Sequence, residues 1–104
     1  MIRGTTPTLT FTTPYAAELV QSGYITFSQR ETVVLDVPLS DQSVTVSDNA
    51  ISITLTQEQT LSFDASVDPP IAVAQIRAIL TSGKAVGSNI VVIPICAILK
   101  EGEI

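Results

Sequence analysis

The side chains in this chain that could do chemistry are carboxylates and a single thiol. There are ten Asp and Glu, one cysteine and no histidine. Without histidine, Ser-His-Asp and Cys-His catalysis is excluded and the commonest general base and metal ligand is missing. Two carboxylates could still act as the acid and base of glycoside hydrolysis. Asp36, Asp41, Asp48, Asp64 and Asp68, however, each sit alone in an expected turn or loop, where turn formation and solvation account for them. Asp64 and Asp68 flank a loop that could offer oxygens to calcium, but their spacing is not Asp-x-Asp-x-Asp-Gly, so they read as turn residues. Ser82-Gly83-Lys84 lacks the Gly-x4-Gly-Lys frame of a phosphate loop. No Trp and only two Tyr leave little of the aromatic platform on which sugars stack. Cys96 can form no intrachain disulfide, and its place in an apolar run reads as a buried small hydrophobe rather than a reactive thiol. The residues describe a chain that is not an enzyme and needs no cofactor or metal.

Bulk properties narrow the field further. A length of 104 residues fits one domain, 1–104, around one core. Apolar residues are 45% and charged residues only 14%, so the surface must be polar mainly through Thr, Ser, Gln and Asn. The formal net charge is −5, and five scattered Lys and Arg do not make a phosphate-neutralising footprint, which argues against nucleic acid as a partner. The longest apolar run, Ile90–Leu99, contains Pro94 and is too short to span a bilayer, which takes about 20 residues. Met1–Pro7 lacks the apolar stretch of a secretory signal. The expected site of synthesis is the cytoplasm, with no membrane partner.

The elements that must position any site are strands. Thr8–Thr13 alternates Leu9 and Phe11 against Thr8, Thr10 and Thr12, with Pro7 and Pro14 at its ends, which suits an edge strand. Tyr15–Gln21 has apolar residues at helical spacing, predicting one or two helical turns stopped by Gly23. Tyr24–Gln29 and Glu31–Val37 form a pair across the tight turn Gln29-Arg30-Glu31. Ser43–Val46 and Ala50–Leu55 form another across Ser47-Asp48-Asn49-Ala50, where Asn tolerates a left-handed backbone. Thr56 with Gln59 three residues on is a capping box for a turn of helix.

The centre is the hairpin Ile71–Thr81 and Ala85–Leu99. In its first strand Ala72, Ala74, Ile76, Ala78 and Leu80 share one wholly apolar face, while Gln75 and Arg77 lie on the other. The second strand is apolar on both faces beyond Asn89, and is either covered between layers or half-exposed until a partner covers it. Arg77 likewise has two readings, a solvated charge or an ion pair between subunits. The count is about seven strands with short helical turns. It predicts an all-β, antiparallel sandwich of immunoglobulin-like size, its strand order left open.

Several segments form a familiar set: Arg3-Gly4-Thr5-Thr6-Pro7-Thr8, Leu55–Phe63 (LTQEQTLSF), Gln75-Ile76-Arg77, Gly83, Ser88 and the acidic end Glu101-Gly102-Glu103-Ile104. Together they resemble small proteins encoded among the structural genes of tailed phages and prophages of Gram-positive bacteria. More remotely they are similar to the β-sandwich at the N-terminus of phage baseplate upper proteins. The resemblance implies a virion or tail-like-particle component that packs against copies of itself and other phage structural proteins. It carries no catalytic residues. The expected assembly surface is Ala85–Leu99 with the first strand's polar face, with Gln75, Arg77, Val91, Ile93 and Ile95 as its candidate residues. The competing class is a small carbohydrate- or ligand-binding sandwich using Tyr15 or Tyr24.

Overall fold

A computed structural model describes all 104 residues. Eight strands pair antiparallel into two sheets: β1 (Thr8–Thr12), β2 (Val20–Gln29), β3 (Thr32–Pro38), β4 (Val44–Ser47), β5 (Ala50–Thr54), β6 (Ile71–Leu80), β7 (Ala85–Gly87) and β8 (Val91–Pro94). One sheet has the order β1-β5-β4. The other runs β3-β2-β6, with β7 and β8 pairing in turn along the far side of β6. The all-β sandwich expected from alternation is the fold, and β1 is an edge strand as its flanking prolines suggested.

The core lies between the sheets. Phe11, Ile51, Ile53 and Leu55 face Ile25, Phe27, Val37, Ala72, Ala74 and Ile76 across it, and Phe63 closes one end with its ring edge-on to Phe27 at 5.9 Å. The alanine-rich face of β6 is buried along its length, because small side chains let the opposite layer approach.

The capping box forms at α1 (Gln57–Leu61). Thr56 Oγ1 accepts from Gln59 N, and Gln59 Oε1 accepts from Thr56 N. The Arg30-Glu31 turn holds both central residues at positive φ, +50° and +66°, the mirror-image geometry that suits the twist of a two-residue hairpin.

The helical turn expected in Tyr15–Gln21 forms as a single 3-10 turn, Ala17–Leu19, and β2 already begins at Val20. Three expectations fail. Gly23 stops nothing and instead pairs with Ala78 in mid-strand. A Cβ there would stand 2.3 Å from the Arg77 carbonyl oxygen, so glycine is required by close packing against β6. Ala85–Leu99 is not one strand but β7 and β8 separated by an outward detour at Ser88–Ile90. Cys96 is exposed, not buried, because Ile95 takes the inward position beside it.

Candidate assembly surfaces

The five candidate residues do not share one surface. Gln75 and Arg77 lie on the outer face of the five-stranded sheet, where Arg77 is exposed and Gln75 half-buried. Val91 pairs with Ala74 and points toward the space between the sheets. Ile93 and Ile95 retain only 8% and 3% of their accessible surface and belong to the core. They cannot be assembly contacts of the folded chain.

The detour in the edge strand has a local cause. Ser88 N donates to Ile76 O, but the return bond from Ile76 N goes to the Ser88 hydroxyl instead of a backbone carbonyl. Gln75 Nε2 takes the displaced Ser88 carbonyl. The side chain thus replaces one rung of the ladder and lets the backbone swing out. Val86 and Val91, an odd number of residues apart, consequently pair with inward-facing Ala78 and Ala74.

The detour opens a cleft of about 440 Å³ between the ends of β1 and β7–β8. Phe11, Ile51, Ile76 and Ala78 line it, with Tyr15, Ser88 and Asn89 supplying polar atoms; no charged side chain borders it. At the other end, the same edge is closed by the chain's own start: Met1–Arg3 runs beside Pro94–Cys96, with Met1 N bonded to Pro94 O and Cys96 N to Met1 O.

The two outer faces are chemically distinct. On the three-stranded sheet, Thr8 bonds Thr54 through their hydroxyls at 2.8 Å and Thr10 bonds Ser52 at 3.0 Å. On the five-stranded sheet, registers set Val33, Ser28, Val73 and Val92 in one row, Asp36, Thr26 and Gln75 in the next, and Pro38, Tyr24, Arg77 and Gly87 in a third. Tyr24 is 53%, Val33 58% and Val92 57% exposed. Nothing in the chain covers this face.

Arg3, which the sequence offered only as part of an opening motif, is a structural hub. Its Nε donates to Phe63 O and one Nη to Leu61 O, satisfying carbonyls at the end of α1, while the other Nη pairs with Glu101. Gln29 was also missed. Its buried amide donates to Asp64 O and Ile71 O and accepts from Asp64 N, stitching the loop before β6 to the end of β2. No sequence signal marks either residue, since both act on backbone groups distant in the chain.

Asp41, Asp48 and Asp64 sit in turns or loops as expected, whereas Asp36 lies within strand β3. Asp41 is held below its ordinary pKa by the Ser43 hydroxyl and then the Ser43 N–H, and Asp64 by the same pair from Ser66. Asp48 accepts from Ala17 N and ties the β4–β5 turn to the 3-10 turn. No three Asp, Glu or Cys side chains converge as a metal-binding group, and no helix is long and apolar enough to cross a membrane. Comparison with family models, curated proteins and solved structures finds no match.

Proposed function

We propose that the chain is a non-enzymatic structural component of a phage or prophage particle, in the tail or baseplate region, working by packing against itself and neighbouring particle proteins. The observation that carries the packing half of this reading is the outer face of the five-stranded sheet, where Val33 and Val92 at the two ends of one row, and Tyr24 and Ile79 beyond the polar row Asp36-Thr26-Gln75, are all exposed. Four large apolar side chains exposed on one sheet face, against a second face made of hydroxyls, favour contact through the first. The resemblance of the Arg3–Thr8, Leu55–Phe63 and Gln75–Arg77 segments to phage structural proteins supports the particle half. Mass spectrometry of particles purified from an induced lysogen carrying the gene tests it. The chain should be recovered at a fixed ratio to the tail proteins, and its absence from intact particles would overturn the assignment.

The cleft beside Ser88 favours a second reading, a ligand-binding module. It would take an uncharged, largely apolar ligand, with the Tyr15 ring as a wall. Binding of an uncharged apolar dye such as Nile red that disappears in Tyr15→Ala would favour it over the first.

A further inference from the structure

The outer face of the five-stranded sheet carries, within its strands, one cation and one carboxylate. Arg77 on β6 makes no ion pair, the Arg3–Glu101 pair being the only one in the chain. Asp36 on β3 accepts the Thr26 hydroxyl at Oδ1, leaving Oδ2 open. The registers put these charges on opposite sides of β2 and two residues out of step. At strand spacings of about 4.8 Å and rises of about 3.4 Å per residue, their Cα atoms lie about 12 Å apart, and the two side chains form no ion pair within the protomer. The face is therefore neutral in a chain whose net charge is −5, and its two charges are separated across an otherwise apolar and hydroxyl-bearing surface.

That arrangement is self-complementary. In a two-fold interface every contact occurs twice, residue i on j and j on i. A two-fold axis in the plane of the face, perpendicular to the line joining Arg77 and Asp36, sets each guanidinium over the partner's carboxylate. Its midpoint falls on β2 between Tyr24 and Thr26, so the Tyr24 rings meet near the axis, where buried aromatics contribute most to binding. Four strands by eight residues give a face of about 500 Å² per copy, so two copies bury roughly 1,000 Å², the lower bound for a specific interface.

We infer that the occupant of this face is a second copy of the chain, joined sheet to sheet by two reciprocal Arg77–Asp36 pairs around Tyr24. This rests on the packing reading above and names its first step. The face, unlike the cleft, has a charge pattern that an opposite copy of itself completes.

The test is a charge swap followed by light scattering over a concentration series. Wild type should be dimeric, Arg77→Asp and Asp36→Arg each monomeric, and the double variant dimeric again. Each single reversal turns two attractive contacts repulsive, and a tenfold loss per contact raises the dimer Kd about 100-fold. Circular dichroism should show all four folded, since both side chains are exposed. A monomeric wild type at every concentration overturns the inference. A wild-type oligomer unaffected by either reversal also overturns it while leaving the packing reading intact on another surface. Failure of the double variant to re-associate would show that the two charges do not face each other.

Discussion

The two outer faces of the sandwich are built on the same alternation yet present opposite chemistry. On the three-stranded sheet the outward positions of β1 are Thr8, Thr10 and Thr12, and their neighbours on β5 are Thr54 and Ser52, hydroxyls that bond one another. On the five-stranded sheet the outward positions include valines, a tyrosine and an isoleucine around one Asp and one Arg. A hydroxyl face loses little by staying in water, whereas an exposed apolar face gains about 25 cal/mol per Å² when covered. The contrast is the ground for proposing that the five-stranded face is the side that is joined and the hydroxyl face the side left in water.

Adjacent residues of β8 give the sharpest way to break this contrast. Ile93 faces the core opposite Ala72, and Val92 faces outward opposite Val73. Ile93→Lys places an unpaired ammonium among apolar side chains and should cost at least about 4 kcal/mol, a large share of the roughly 5–15 kcal/mol that holds such a domain folded. Val92→Lys should change stability by less than about 0.5 kcal/mol but abolish self-association. Thermal melts and light scattering on the two variants separate fold from assembly. If both merely unfold, the outer face is part of the monomer's stability and the contrast fails. Thr10→Lys on the hydroxyl face should leave association unchanged, and loss of the oligomer in that variant would move the interface to the three-stranded sheet.

How far the sequence revealed these faces depends on the range of the interactions that set them. The period-2 pattern of Ile71–Leu80 and of Ala50–Leu55 identified the inward residues correctly, because the core demands it at every second position. The break at Ser88 was not legible. It depends on a serine hydroxyl standing in for a backbone carbonyl, and any serine in an apolar strand looks the same beforehand. The consequence was a misplaced surface: read as one continuous strand, Ala85–Leu99 seemed apolar on both faces, when Ile93 and Ile95 are core and Val92 is not. Gly23 was misread for a similar reason. Its meaning lies in the Arg77 carbonyl across the ladder, and the local helical spacing of Ala16–Val20 gave the wrong cue.

The β2–β3 turn offers a smaller effect of opposite sign. Glu31 holds φ at +66°, a region in which an L side chain is strained by roughly 1–2 kcal/mol. Glu31→Gly should relieve most of that and raise stability by about 0.5–1 kcal/mol, measurable as a higher denaturant midpoint at an unchanged slope. Association should not change, since the turn lies beyond the strand residues of the proposed interface. A loss of stability would mean that the turn geometry is not what fixes the β2–β3 register.

The smallest expected effect is on acid tolerance, and it also separates turn chemistry from face chemistry. Asp41 and Asp64 have folded pKa values lowered from 3.8, chiefly by the hydroxyls of Ser43 and Ser66. A lowered folded pKa means the unfolded chain binds the proton more readily, so each group's contribution is complete above the unfolded value and is lost as pH falls through the lower folded one. Both carboxylates are fully exposed, so the slope of stability against pH should be shallow. Asp41→Asn and Asp64→Asn should each flatten that slope below about pH 4 and leave stability near neutrality little changed. Neither turn carboxylate lies on the outer face of the five-stranded sheet, so both variants should associate as wild type does. Light scattering should give one mass for wild type and both turn variants, while their melting curves in acid diverge. If either turn variant lost the oligomer, the loop at Asp41 or Asp64 would have to reach the interface, and the two proposed sides of the molecule would no longer be distinct.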